Sequence, residues 1–428
     1  MKIRYIYSAC IEIHTQDVCI LTDPWFTDGV YDGSWYQFPK LHDPLAVISE
    51  PDVIYISHIH PDHYDPIFLR KLFEKWGEKP ILIPDVNNNY LFRKSQFDGI
   101  NTTPITKEVY GRTEINIVPN VNGSRSDIDS ALFVDDGKHC VLNLNDCIWN
   151  KDHVELLQSL ANIDKKQIDL IALGFTGAGT YPQTYYDSKT EAEELRNRAT
   201  KKKQQFFDMY MNYCAAFPSR YHLPFAGKYI LGGKLSDLNQ YRGIADALDV
   251  TEFDDHAIIL ADFGEGVIDL EKDTISKNRS MPYNSEDLHA RIETISTKLM
   301  DYEREVALPI DKINFKRMLI PSYERAIKRS PVTNDYYFLI EAVNSVNEAP
   351  KFLLNSNPAN PLMHEFDESS DIPQPYSHIR IDYRYLFGLL TGIYHWDNAE
   401  IGSHYRTLRH PDCYNREAQE FLNFLSVC

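Results

Sequence analysis

The sequence predicts an α/β protein in which strands and helices alternate. Between Lys2 and Leu173, short apolar segments of strand length alternate with segments whose apolar residues recur at helical spacing. The chain has 428 residues, of which 43% are hydrophobic, so it can bury a large core spread over about two or three structural units. No apolar run approaches the ~18 residues of a membrane-spanning helix. The apolar segments therefore belong to a globular core.

The first half of the chain contains most of the predicted strands. These are Lys2–Tyr7, Ile11–Thr15, Val18–Thr22, Val53–Ser57, Ile81–Ile83, Ala131–Val134, Cys140–Leu144 and Ile168–Leu173. Two segments among them, Pro66–Trp76 and Val154–Leu160, have helical spacing. This alternation is typical of layered sheets covered by helices.

The second half begins with a long charged helix, predicted over Lys189–Phe217. We expect its three consecutive lysines, Lys201, Lys202 and Lys203, on a solvated face rather than in a phosphate-binding patch. Further elements follow along the chain. They are a helical block over Glu286–Val306, paired strands within Asp335–Leu354, and a polar loop or linker over Asn355–Pro375.

The net charge limits which kinds of partner the protein can bind, and the cysteines indicate the redox state of its compartment. The 62 acidic and 44 basic side chains give a net charge of −18, which disfavours nucleic acid and anionic membranes as partners. The seven cysteines are scattered without a Cys-x-x-Cys pair, so we expect reduced thiols. The segment Met1–Tyr5 lacks the apolar core of a secretory signal, and we therefore expect a cytoplasmic location.

The segment Ser57–Asp65 places four ligand-type residues directly behind a buried strand. His58 and His60 are alternate residues and can point the same way, and the turn that follows brings Asp62 and His63 back toward them. Imidazole and carboxylate groups suit zinc or iron(II) better than calcium. The spacing therefore predicts a transition-metal site.

Two aspartates at other strand ends extend this pattern. Asp23 ends one predicted strand, and Asp146 ends another. Each alone is compatible with an ordinary strand-to-turn aspartate. Beside the histidine cluster, we interpret Asp23 as a residue that orients a ligand histidine and Asp146 as a carboxylate able to bridge two metals.

The His-x-His-x-Asp-His segment resembles the signature of the metallo-β-lactamase superfamily. Much of the chain also resembles, in the same order, the catalytic part of the CMP-N-acetylneuraminate monooxygenase (hydroxylase) family. The matching segments are Thr22–Phe26, Tyr55–His63, Asp127–Ser130, Asn143–Cys147, Thr176–Thr184, Leu223–Tyr229 and Trp396–Gly402. The resemblance implies an αββα sandwich over residues 1–235 and a carboxy-terminal α+β extension over residues 236–428 that completes the sandwich and the substrate pocket.

The resemblance also implies roles for individual residues. One or two iron or zinc ions would be bound by His58, His60, Asp62, His63 and Asp146. Asp62 and His63 would take part in catalysis as well. Asp23 and Asp129 would orient ligands without binding the metal.

The chain departs from the hydroxylase family at three points. A Rieske cluster needs a Cys-x-His and a Cys-x-x-His pair, and the sequence contains neither, so electrons would come from outside, from a separate ferredoxin or Rieske protein. Arg125 stands about where the family has a third ligand histidine, and Lys228 stands near the place of the last one. His222, five residues before Gly227, is either a ligand or a structural histidine.

Four residues are candidates for contacts with a small-molecule substrate. Arg125 cannot bind a cation and would instead contact an anionic group. Lys228, His395 and Trp396 are the others, and for Trp396 burial in the core is an equally good interpretation.

Three function classes follow from these patterns. The favoured one is a metal-dependent, non-haem iron hydroxylase of a nucleotide-activated or acylamino sugar or a related small molecule. The second is a zinc- or iron-dependent hydrolase of a phosphodiester, lactone or amide, which needs no electron donor. The third is a binding protein with a degenerate metal site.

Overall fold

A computed structural model describes residues 1–121, 128–161, 167–329, 332–344, 350–367 and 369–427. The strands are β1 Lys2–Tyr7, β2 Cys10–His14, β3 Cys19–Thr22, β4 Trp35–Tyr36, β5 Val53–Tyr55, β6 Ile81–Pro84, β7 Thr103–Ile105, β8 Lys107–Tyr110, β9 Thr113–Pro119, β10 Ser130–Asp135, β11 Cys140–Asn145, β12 Ile168–Leu173, β13 Ser219–Pro224, β14 Ile230–Leu231, β15 Val267–Asp269, β16 Thr274–Ser276, β17 Tyr337–Val343, β18 Lys351–Asn355, β19 Leu362–Glu365, β20 Tyr376–Asp382 and β21 Tyr405–His410. The helices are α1 Val30–Gly33, α2 Pro44–Val47, α3 Pro66–Trp76, α4 Tyr90–Phe97, α5 Lys151–Ala161, α6 Ala192–Ala216, α7 Ser285–Ser296, α8 Asp301–Glu305, α9 Phe315–Arg329, α10 Tyr383–Thr391, α11 Trp396–Ile401 and α12 Arg416–Asn423. Short 3₁₀ segments occupy Gly233–Tyr241, Ala247–Glu252 and Ile310–Lys312.

Two large sheets pack face to face at the centre of the molecule. The first has the strand order β16-β15-β1-β2-β3-β5-β6-β7, and the second has the order β13-β12-β11-β10-β9-β8. Ile11 and Tyr55 of the first sheet share one buried core with Leu132 and Val141 of the second. The inward-facing residues alternate with outward-facing ones, as in other packed sheets.

Helices cover the outer faces of both sheets. Phe68 and Leu72 of α3 pack against Ile54 on the outer face of the first sheet. Helices α5 and α6 cover the second sheet, where Leu157 and Tyr213 belong to one buried cluster with residues of β10, β11 and β12. The four layers confirm the predicted αββα sandwich.

The carboxy-terminal part adds a five-stranded sheet of order β19-β18-β17-β20-β21, which packs with α9, α10 and α12 around its own core. This confirms the expected α+β extension. Strand β19 corrects the interpretation of Asn355–Pro375 as loop throughout, because Leu362–Glu365 pairs with β18. Leu362 and Met363 are only partly buried and His364 and Glu365 are exposed, so its backbone pairing with β18 defines the strand more than hydrophobic burial does.

The first sheet extends beyond the predicted boundary at residue 235. Strand β15 pairs with β1, and β16 pairs with β15, so residues 267–276 complete the first sheet at its edge. The first sheet of the sandwich therefore includes strands that follow residue 235. The carboxy-terminal sheet starts only at Tyr337.

Two helical predictions differ in detail from the structure. The block Glu286–Val306 is divided into α7 and α8, because the fully buried Met300 is extended and enters the core between them. Lys202 does not lie on a solvated face, since it is buried and donates hydrogen bonds to the carbonyls of Ala178 and Tyr181. Within the described ranges, none of the helices combines the length and apolar character needed to cross a bilayer.

Candidate metal centre

The site lies where the carboxyl ends of parallel strands meet at one edge of the sandwich. Strands β3 and β5 are parallel neighbours, and so are β11 and β12 of the facing sheet. Asp23 joins the first two strand ends, because its amide donates to the Tyr55 carbonyl at 2.9 Å and its Oδ1 accepts from the Ser57 amide at 2.8 Å. Asp23 has a φ of 36°, a left-handed conformation that Asp tolerates better than most residues. This turn fixes the start of the histidine segment.

His58 and His60 point toward each other. His58 Nε2 lies 2.8 Å from His60 Nδ1. The other nitrogen of His60 lies 2.8 Å from Asp397 Oδ2, and because a carboxylate only accepts, that nitrogen carries the hydrogen. In the neutral form of His60, Nδ1 then presents a lone pair toward His58. The two facing rings would both be able to hold a divalent cation.

His63 lies among three carboxylates. Its Nε2 is 3.5 Å from Asp62 Oδ2 and 3.3 Å from Asp146 Oδ2, and its Nδ1 is 3.2 Å from Asp23 Oδ2. Ligand atoms of His58, His63 and Asp146 lie within 4.8 Å of one another. The structure thus gathers His58, His60, Asp62, His63 and Asp146 in one cluster.

Charge and burial set the protonation of this cluster when no cation is bound. Burial lowers the pKa of His58 well below its usual value, and His63 and His60 add to the effect. Burial also opposes charge on His63, but the carboxylates of Asp62 and Asp146 outweigh it and raise its pKa. Burial raises the pKa of Asp62. For Asp146 the His63 charge prevails over burial and lowers the pKa.

These residues fit a transition-metal ion. His58 is held neutral and so has a lone pair available, and the positive charge on His63 stands in the place that a cation would take among the carboxylates. Two imidazoles facing each other, with carboxylates beside a third, match the donors that iron(II) and zinc prefer. One or two ions could be accommodated by the five residues.

Side chains from distant parts of the chain support the ligands. Asp397, on α11, is the partner of His60. Tyr31 donates its hydroxyl hydrogen to Asp62 Oδ1 at 2.6 Å, and its own carbonyl accepts from His404 Nε2 at 2.7 Å. Asp397 and His404 both belong to the carboxy-terminal extension, which therefore reaches the candidate centre.

A cleft of about 180 Å³ opens beside the cluster. Its polar lining residues include His60, Asp62, Asp129, Asn145 and Asp146. Its apolar lining residues, called the apolar wall below, include Ile148, Phe206, Met209 and Ile401. Gly177 also lines the cleft, and a Cβ there would lie 2.0 Å from the Phe206 ring, so the glycine allows this ring to approach the loop closely. The cleft thus combines charged and apolar lining residues.

The other candidate site residues from the sequence lie in several different parts of the structure. Asp129 lines the cleft, with Oδ1 3.5 Å from His58 Nδ1. Lys228 is paired with Asp262 at 2.5 Å, and Trp396 is buried and donates to the Leu425 carbonyl. His395 is exposed and caps α11. The described residues that line the cleft do not include Lys228, His395 or Trp396. Arg125 lies outside the described residues.

Sequence reasoning missed three residues of the site. Asp397 and Tyr31 are far from the histidine segment in sequence, and no local pattern connects them to it. Asp65 had a detectable signal, because it directly precedes Pro66 at the start of a helix. It is buried and accepts hydrogen bonds from the amides of Phe26, Thr27 and Phe68. These hydrogen bonds hold the segment that follows His63 against the turn that follows β3.

Several known proteins resemble this chain over part of its length. Residues 2–163 match the family model described as a beta-lactamase superfamily domain. A Mycolicibacterium smegmatis protein named for a Rieske 2Fe-2S iron–sulfur centre is 28% identical over 261 residues, covering 57% of this chain and 47% of the relative. The cytidine monophosphate-N-acetylneuraminic acid hydroxylase of Asterias rubens is 25% identical over 240 residues, covering 54% of this chain and 35% of the relative.

A solved structure, that of a possible metal-dependent hydrolase from Veillonella parvula, aligns with a TM-score of 0.43 and 13% identity, covering 63% of this chain and 98% of the other. This chain spans between about a third and a half of the length of the two curated relatives. Residues 2–163 thus resemble a beta-lactamase superfamily domain, and the chain resembles the cytidine monophosphate-N-acetylneuraminic acid hydroxylases over about half of its length.

Proposed function

We propose that this protein is a metal-dependent enzyme that hydroxylates a nucleotide-activated or acylamino sugar or a related small molecule. The observation that carries the proposal is the clustering of His58, His60, Asp62, His63 and Asp146 beside a cleft, which three of them line, in a chain that resembles a hydroxylase. Iron is the favoured metal, because imidazole and carboxylate ligands with open positions are typical of non-haem iron oxygenases.

The chain's own residues have distinct tasks in this proposal. The five ligands hold the metal, and Asp397 and Tyr31 orient two of them. When bound, iron would supply oxygen chemistry, whereas zinc would supply an acidified water. The apolar wall around Phe206 and Met209 excludes water and receives the apolar part of the substrate.

We further propose that an anionic group of the substrate contacts Arg125. Its guanidinium is permanently charged and suits carboxylate or phosphate groups. This proposal is supported by the position of Arg125 in the sequence, four residues before Asp129, which lines the cleft. Lys228 is a weaker candidate for this task, because Asp262 already takes its charge.

The electrons for hydroxylation would come from a separate ferredoxin or Rieske protein. The sequence contains no Cys-x-His and Cys-x-x-His pair, which a Rieske cluster requires. The likeness to a protein named for such a centre supports a partner of this class. We further propose a cytoplasmic location, because the scattered cysteines without a Cys-x-x-Cys pair are typical of reduced thiols.

Hydrolysis is the second candidate function, and one observation favours it. The same ligands would serve a hydrolase, which needs metal and water but no electron source, and the sequence carries no cluster motif to store electrons. The candidate bonds are those of phosphodiesters, lactones and amides.

Turnover with and without oxygen distinguishes the two functions. The iron-loaded protein would be incubated with sugar nucleotides, acylamino sugars and hydrolase substrates under air and under anaerobic conditions, with and without a reduced ferredoxin, and product mass would be followed. We expect product only with oxygen and reductant, heavier than the substrate by one oxygen atom. Equal anaerobic turnover to a cleaved product would replace the hydroxylase proposal by the hydrolase one.

A further inference from the structure

A second cluster of metal-ligand side chains lies in the second sheet and its covering helix. It consists of Cys214, His222 and Asp254, all buried, with one ligand atom of each within 4.8 Å of the others. Cys214 lies in the last turn of α6, His222 lies on the edge strand β13, and Asp254 follows the 3₁₀ segment Ala247–Glu252. We propose that these three residues form a second transition-metal site, of the zinc-binding class.

The three side chains already face one another. His222 Nδ1 lies 2.8 Å from Asp254 Oδ2, and the Tyr210 hydroxyl donates to the same oxygen at 2.7 Å. The backbone holds the strand and the loop in place, because the His222 amide donates to the His256 carbonyl and the Ile258 amide donates to the His222 carbonyl. The ligands therefore come from three segments with a fixed mutual position.

The chemistry of the set suits zinc. A thiolate, an imidazole and a carboxylate are all zinc ligands, at about 2.0–2.3 Å, which places ligand atoms about 3.3–3.8 Å apart in a tetrahedral site. The separation between His222 and Asp254 would open by about 0.5–1 Å to meet this geometry. The Tyr210 hydroxyl or a water molecule would complete the coordination.

The thiol must lose its proton for zinc to bind. Burial, with a contribution from Asp254, raises the pKa of the Cys214 thiol to about 12, so the metal-free cluster contains a neutral thiol. Binding would release that proton to solvent and place a thiolate on the cation. The negative charges of Asp254 and the thiolate would then be balanced by the divalent ion.

The competing interpretation is a hydrogen-bonded cluster without a metal. Asp254 already accepts from Tyr210 and pairs with His222, so the carboxylate is satisfied as it stands. This interpretation predicts no affinity for a transition metal, and the experiment below separates the two.

The position of the cluster links it to the cleft. Helix α6 carries Cys214 near its carboxyl end, and the same helix carries Phe206 and Met209 of the apolar wall. A metal bound to Cys214 would anchor this helix to β13. The second site would thus have a structural role, holding the apolar wall of the cleft in place.

Cobalt(II) titration of the metal-free, full-length protein tests the proposal. Cobalt bound to a thiolate gives a charge-transfer absorption band that histidine and carboxylate ligands do not give. We expect the band in the wild type and in a Cys147→Ser control, whose cysteine lines the cleft. We expect it to be lost in both Cys214→Ser and His222→Ala, with circular dichroism showing that these variants are folded.

Absence of the band in the wild type would overturn the proposal, and this result does not depend on how well any variant folds. A band that persists in Cys214→Ser would overturn it as well. The test is independent of the first centre. In a His60→Ala/His63→Ala variant, we expect the thiolate band to be unchanged, and its loss there would show that the band arises from the first cluster.

Discussion

Asp397 and His60 are 337 positions apart in the chain, yet their side chains lie 2.8 Å apart. In neutral His60, the carboxylate holds the ring hydrogen on Nε2, and Nδ1 faces His58. Both side chains are largely buried, with exposures of 12% for His60 and 20% for Asp397, so water competes weakly for this contact. Asp397 is therefore a positioning residue for His60, one of the proposed metal ligands.

Replacing Asp397 by Asn should weaken metal binding while keeping the shape of the side chain. We expect iron(II) or zinc affinity to fall about 10- to 100-fold, the range typical of partners that orient a ligand histidine. Competition with a chromophoric chelator measures the affinity directly. Asp371→Asn, at an exposed position, is the control and should bind as the wild type does. Unchanged affinity in the Asp397 variant would remove its proposed role.

At the residue level, sequence predicted what is local and missed what is distant. His58, His60, Asp62 and His63 are consecutive enough that one strand and one turn bring them together. Asp397 reaches them only through tertiary packing, and the matching segment Trp396–Gly402 contains it without connecting it to the histidines. The sequence likewise shows that Lys228 can carry a positive charge, but it does not show the ion pair that Lys228 forms with Asp262.

Among the elements, helix α3 shows why some boundaries are predictable. Asp65 caps it, Pro66 occupies its first turn, and Gly77 follows its end, so both of its limits were predicted correctly. Strand β19 lacks such signals and is defined by its pairing with β18. Helix α6 was predicted from its charge pattern, but the burial of Lys202 depends on the carbonyls of the facing loop.

Lys202 leads to a prediction about pH and stability. Burial, with a contribution from Arg242, lowers the pKa of Lys202 from its usual 10.5 to about 7. Between these two values the unfolded chain binds the proton and the folded protein does not, so this residue makes stability rise with pH across that window. We expect wild type to gain stability relative to Lys202→Met between pH 7 and 9, by at most about 1.4 kcal/mol per pH unit.

Urea unfolding of both proteins at pH 7 and pH 9 measures this difference. Lys201→Met is the matched control, because Lys201 is exposed on the same helix and should give a difference that does not change with pH. A Lys202→Met difference that is equal at both pH values would show that Lys202 stays charged in the folded state.

For the whole molecule, the sandwich and the carboxy-terminal extension act together at one edge. The strand ends of the two facing sheets supply the ligands, and the extension supplies Asp397 to His60 and His404 to the Tyr31 carbonyl. Layers of strands and helices could be predicted, because alternating apolar strands and helices indicate them, and the resemblance implied the αββα order. The contacts of the extension could not, since they depend on where the second core packs against the first.

The central claim is that the histidine cluster binds a transition metal, and metal content tests it most directly. Iron per chain would be measured after anaerobic reconstitution of the wild type, of His60→Ala/His63→Ala, and of a His289→Ala/His364→Ala control at exposed positions. The same proteins would be measured in a Cys214→Ser background, so that an ion at the second cluster does not enter the count. We predict that the His60/His63 variant stays folded and loses most of its iron while the control keeps it. Full iron occupancy in the folded His60/His63 variant would contradict the account.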